Sequence, residues 1–210
     1  MKQESKVKIL FYVLIIVLII IISFAVISFK KPILNNNYIY TSPSGEQFQF
    51  FKSKIGNITQ HIVTVSTFNK EGEHKYDIPI MNDPYSLEKI TLIKDVKNKI
   101  LTKNTVFVTV DPYSDSKSVL AAVEITRVIG TNDYGVFKIP TKAATYKQTN
   151  TTFPYITCKD ATKQTGVIYL FVGNETRVVP YGECVIVEGK DYDDLIKAAD
   201  KLTLHLLGVM

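Results

Sequence analysis

Thr105–Val110 (TVFVTV), Asp111–Ser114 (DPYS) and Ser116–Ile129 (SKSVLAAVEITRVI) are the stretch on which the fold turns. Six residues, five of them β-branched, predict a strand buried on both faces. The four-residue turn holds the kinds of residue that stop a strand and start a helix. Val119, Leu120, Val123 and Val128-Ile129 then recur at helical spacing, and Gly130 is placed to act as a left-handed residue past the helix end. Tyr134–Pro140 (YGVFKIP) predicts the next strand. Strand, helix and strand within about 35 residues form a βαβ unit, whose crossover is right-handed.

The chain before this unit has a different texture. Tyr38–Thr41 and Gln47–Phe51 alternate aromatic and polar residues around Ser42-Pro43-Ser44-Gly45, the pattern of a β-hairpin. His61–Phe68 and Lys75–Met81 are a second pair of strands across a polar turn. Leu87, Ile90, Ile93, Val96 and Ile100 favour one amphipathic helix over the following residues, with a strand at 90–93 and a shorter helix as the alternative. After the βαβ unit, residues 141–152 are polar and loop-like. Phe153–Cys158, Val167–Val172, Arg177–Val179 and Cys184–Glu188 are expected as short strands. A closing helix runs from Asp191 to Gly208. The fold class that follows is α/β, a mixed α+β single domain with a βαβ unit, over residues 38–210.

Ahead of that domain stands Ile9–Phe29, 21 residues without a charge, Pro or Gly. As a helix it would measure about 31 Å, the thickness of a bilayer's hydrocarbon core. A cleaved signal peptide would have a shorter apolar run and a small-residue exit. Here the exit is Ile27-Ser28-Phe29-Lys30-Lys31, so the expectation is an uncleaved signal-anchor. Residues 1–8 form a short cytoplasmic tail, 9–29 the transmembrane helix and 30–37 a linker. The lipid bilayer is thus one expected partner, and the anchor's lack of charge and of a Gly-x-x-x-Gly face leaves it the role of a tether.

The 210 residues carry a net charge of +5. Five of the 25 basic residues and one of the 20 acidic ones lie within residues 1–31, leaving 20 against 19 in the remainder. The basic balance belongs to the membrane flanks, so nucleic acid is not an expected partner. Lys2, Lys6 and Lys8 against Glu4 place the N-terminus in the cytoplasm and the domain outside the cell membrane. Asn-x-Ser/Thr sequons at Asn57, Asn150 and Asn174 suit an external domain and are glycosylation candidates.

Chemistry-bearing motifs are few. Cys158 and Cys184, 26 residues apart, are read as a structural disulfide, with buried free thiols or metal and redox chemistry as the other readings. His61, His74 and His205 are scattered, so no metal site is expected. No catalytic residue and no cofactor is assigned, since nucleophile-elbow, P-loop and dinucleotide motifs are all missing. Asp-Pro-Tyr-Ser occurs at 83–86 and again at 111–114, where Asp would cap a helix and Pro take its first position. Asp111, Ser114, Asp115 and Ser116 form the one candidate ligand site, because ligands of open α/β sheets bind beyond the carboxyl ends of strands. An anion at the helix start or a cation between the two Asp residues is the expected occupant.

Ile156–Thr162 (ITCKDAT), the Gly173–Thr176 turn, Glu183–Lys190 (ECVIVEGK) and Leu195–Leu202 (LIKAADKL) resemble uncharacterised archaeal membrane-anchored proteins with one N-terminal helix. The resemblance covers residues 105–210. It implies a paired Cys158 and Cys184 in an external domain and carries no activity. The functional expectation is a non-enzymatic component that binds or scaffolds another protein of the cell envelope. The alternative is an anchored enzyme or ligand-binding protein with its site at Asp111–Ser116.

Overall fold

Aromatic and polar residues alternate from Tyr38 to Phe50, and strand periodicity puts the aromatic set on one face. The computed structural model describes residues 37–69, 72–150 and 152–210. The expected tail 1–8, anchor Ile9–Phe29 and most of the linker lie outside the described residues. Among the described residues no helix is long and apolar enough to cross a membrane.

Strands β1 (Asn37–Thr41), β2 (Gln47–Ile55), β3 (Ile58–Asn69) and β4 (Gly72–Ile80) form an antiparallel four-stranded sheet in sequence order. The register sets Tyr40 beside Phe48, Phe50 beside Val63 and Val63 beside Ile78, so one face is continuously apolar. Both expected hairpins are present. The second is tighter than its polar turn suggested, since pairing runs out to Asn69 and Gly72.

The single helix favoured over 87–101 is two short ones, α1 (Pro84–Leu87) and α2 (Val96–Leu101), with a two-residue strand β5 (Thr91–Leu92) between them. The alternative of a strand and a shorter helix was the better reading. Leu87 and Val96 are fully buried in two different cores.

Strand β6 (Thr105–Val110) leads into α3 (Ser116–Ile129) as expected, and β6 pairs in parallel with β7. However, β7 is Thr141–Thr145, within the stretch expected to be a loop, and Tyr134–Pro140 is no strand. Val136 and Ile139 donate backbone N–H groups to Val128 and Ile129 carbonyls, satisfying the last turn of α3. Lys138 has φ 52°, and Pro140 has no N–H to give a ladder. The apolar residues there fill space under the helix end. β7 (TKAAT) sits at a sheet edge with little to bury, which is why it reads as polar. Phe153–Cys158 is also no strand: Tyr155 makes one bridge to Thr145, and a 3-10 turn follows at Cys158–Asp160.

Strands β8 (Thr165–Val172), β9 (Arg177–Tyr181) and β10 (Cys184–Gly189) and helix α4 (Tyr192–Leu206) complete a six-stranded mixed sheet, ordered β5-β9-β10-β8-β6-β7. β10 runs parallel to β8 and antiparallel to β9. Val106, Val108, Ile168, Leu170, Val185 and Val187 line the face covered by α3 and α4. The burial of β6 is uneven: Thr109 is fully buried on the other face, whereas Phe107 stays partly exposed near Lys142.

The two helices also serve the four-stranded sheet. Val128 of α3 and Leu204 of α4 pack with Tyr40, Phe50, Ile78 and Ile80. The chain thus builds one mixed α+β domain with two sheets and, among the described residues, four α-helices. Gly189 allows the close approach of α4, since a Cβ there would lie 2.2 Å from the Leu195 nitrogen. α4 ends with Gly208 at φ 81°, whose N–H bonds the His205 carbonyl while that of Val209 bonds Leu204, a Schellman closure. Gly130, expected to do the same for α3, is instead extended, and the 131–139 segment closes that helix.

Candidate functional site

The turn between β6 and α3 gathers Asp111, Ser114, Asp115 and Ser116, as their closeness in sequence requires, and most of their polar atoms are engaged within the fold. Asp115, not Asp111, caps α3: its carboxylate accepts the Lys117 N–H at 2.9 Å. Ser116 donates to that same carboxylate at 3.4 Å. Asp111 accepts the Tyr113 N–H at 3.0 Å and the Lys147 ammonium at 2.5 Å. Burial would raise the Asp111 carboxyl, but Lys147 and the Tyr113 amide outweigh it and hold the group below its ordinary range. Ser114 donates to the Asp111 carbonyl at 2.6 Å and meets the Ser118 hydroxyl. At the first copy of the tetrapeptide, by contrast, Asp83 does cap α1, with Pro84 as its first residue. The second copy is followed by Asp115, a competing cap four residues on, and the helix starts there.

Three cavities adjoin this turn, and two of them are lined by Asp111 and Ser114. The smaller of these two, about 180 Å³, lies at the carboxyl ends of β6 and β8, between Asp111, Ser118, Tyr146 and Tyr192. The connection from β6 leads towards the β7 edge of the sheet and that from β8 towards the opposite edge, the position at which open sheets leave a crevice. Burial, reinforced by Asp111, pushes the Tyr146 phenol up, and its ring stacks on Tyr169 with centroids 4.4 Å apart.

The larger of the two is a cleft of about 400 Å³ between α3 and the free edge of the sheet. Its floor is Val108 and Val110 with Ala143, its helix wall Val119 and Val123, and Phe153 closes one end. Val119 and Val123 lie one turn apart and are 55% and 42% exposed, although the sequence places both in an apolar stripe. Thr145 lines the cleft while itself only 3% exposed, and among the described residues its hydroxyl oxygen has no partner. A buried hydroxyl without a partner is costly, about 1–3 kcal/mol.

Cys158 and Cys184 are bonded, with Cα atoms 5.2 Å apart. Only Cys184 belongs to a strand; Cys158 opens the 3-10 turn. Lys103, almost fully buried, braces the same corner by donating to the Thr162 carbonyl at 2.7 Å and to Glu183 at 2.5 Å. Asn57, Asn150 and Asn174 are all exposed and far apart in the chain. His61 is buried against the Tyr38 hydroxyl at 2.7 Å, His74 is on β4, and His205 bonds the Met210 carbonyl at 2.8 Å. None of the three lines either cavity. Among the described residues no three His, Cys, Asp or Glu side chains converge as a metal site would need.

Sequence reasoning did not find Thr145, Lys147 or Phe153. Their stretch is polar and lacks periodicity, and only the exposed half of the α3 stripe could have pointed to a cleft. The chain matches no protein-family model, no curated protein and no solved structure.

Proposed function

We propose that this chain is a single-pass membrane protein whose Ile9–Phe29 anchor holds an extracytoplasmic domain that binds a partner in the cell envelope without catalysing a reaction. The length and apolarity of Ile9–Phe29, the Lys-rich flanks and the exposed sequons support that placement. The binding role rests on one observation: an open apolar cleft lies beside a turn whose own carboxylates and hydroxyls are hydrogen-bonded inside the fold. At the Asp111–Ser116 turn Ser114 is committed to a backbone carbonyl and no imidazole is at hand, which supports binding over nucleophilic catalysis. Apolar lining with a few polar groups is the usual make-up of a binding cleft.

A photo-crosslinking amino acid at Val123, in the full chain in its native membrane, tests this. The reading requires a discrete adduct that excess unlabelled full-length protein competes away, with none from a control position at Tyr134. Equal labelling at both positions would contradict it.

A further inference from the structure

We infer that the occupant of this cleft is an extended peptide segment of another protein, added as a strand to the outer edge of β7 at Thr141–Ala143. This rests on the binding role proposed above and names the chemistry of the partner.

The edge itself already shows the mode. At Thr145 the N–H donates to the Pro154 carbonyl at 3.0 Å and the carbonyl accepts the Ile156 N–H at 2.9 Å, so a piece of the chain pairs in parallel with the last residue of β7. Towards the start of β7 that piece departs: among the described residues β6 is the only strand paired with β7. Hydrogen-bonding direction alternates along a strand. Pro140 and Tyr146 bond to β6, and Thr145 bonds outward. By the same alternation Ala143, two residues before Thr145, offers its N–H and carbonyl outward. An apolar small molecule would leave that pair of groups unused, whereas a peptide backbone matches it.

Side-chain parity then specifies the ligand. Ala143 is level with Val108 and lies on the α3 face of the sheet. A ligand residue level with Ala143 projects to that same face, into the cleft between Val119, Val123 and Phe153. Ala143 is small and leaves room above it, so that ligand residue is a Leu-sized aliphatic side chain. Its two neighbours project to the opposite face, where Lys142 is exposed, which favours acidic residues there. The motif is acidic–aliphatic–acidic in an extended segment. The Thr145 hydroxyl, partnerless on the inner side of the cleft, is available to the ligand's polar atoms.

The test uses full-length protein in lipid nanodiscs, with NMR on the Val119 and Val123 methyls and the Ala143 amide. The probes are acetyl-Thr-Glu-Leu-Glu-Thr-amide, the same peptide N-methylated at the Glu after Leu, and decanoate. The inference predicts that the first peptide shifts all three signals and that N-methylation weakens binding about fivefold, the loss of one backbone hydrogen bond. Val123→Lys, on the exposed helix face, should abolish the shifts of the Val119 methyls and the Ala143 amide while the remaining spectrum stays that of the folded domain. Shifts from decanoate alone would overturn the peptide and keep the binding cleft. Equal binding of the N-methylated peptide would overturn strand addition. Silence with every probe up to millimolar concentration would overturn both the peptide and the cleft as a binding site.

Discussion

Asp200 of α4 is fully buried, and one of its carboxylate oxygens accepts both the backbone N–H and the side-chain amide of Asn82, at 2.8 and 2.9 Å. Among the described residues its other oxygen has no hydrogen-bond partner. Burial, with the nearby Glu124 adding to it, pushes this carboxyl from 3.8 up to about 8. The unfolded chain releases that proton near its ordinary value, while the native state keeps it to about 8. Between those limits the native state holds the extra proton, so stability falls as pH rises, by up to about 1.4 kcal/mol per pH unit, and levels off above 8. Asp200→Asn keeps an acceptor for Asn82 and removes this slope. Thermal melts should show the variant more stable than the parent at pH 7.5, with the gap closing towards pH 4. A gap that does not change with pH would show that Asp200 is ionised in the fold. Nothing in the sequence marked this residue, because an acid in an amphipathic helix reads as a solvated position. Only the loop after β4, folded against α4, shows that it is enclosed.

At the scale of elements, within the six-stranded sheet the reading succeeds where burial is two-sided and fails at the β7 edge. β6, β8 and β10 lie inside the six-stranded sheet, and their β-branched runs were legible. β7 lies at its edge and carries TKAAT, so no hydrophobic period announced it. Tyr134–Pro140 misled for the converse reason: its apolar residues pack under α3, but Lys138 and Pro140 keep the backbone out of a ladder. The capping expectation held at Asp83 but not at the second tetrapeptide, where Asp115 caps the helix in place of Asp111. Asp115→Ala should therefore destabilise the domain by about 1 kcal/mol in a chemical-denaturation series, the cost of a lost helix cap. Asp111→Asn keeps the contact to Tyr113 and should cost less. The reverse ranking would mean that α3 starts at the tetrapeptide after all.

For the whole molecule, the βαβ unit, the C-terminal helix and the Cys pair were expected, while the division into two sheets was not. Strand periodicity shows that each sheet has an apolar face, but not that α3 and α4 would serve both. Val128 and Leu204 do that by pointing away from the stripe their own helices present to the larger sheet. The disulfide closes 26 residues that include the 3-10 turn, β8 and β9, and Cys184 is fully buried. Cys184→Ser should lower stability by roughly 3 kcal/mol, and the loss should match that of the parent under reducing conditions. A bond of this kind persists in an oxidising compartment.

The claim that the anchor holds this domain outside the cell can be tested directly. Intact cells expressing the full chain are treated with protease, then lysed in an alkylating reagent and run without reductant. The account predicts that the domain is clipped in intact cells and that neither Cys158 nor Cys184 takes the label. A domain protected until lysis, with both thiols alkylated, would place it in the cytoplasm and contradict the account.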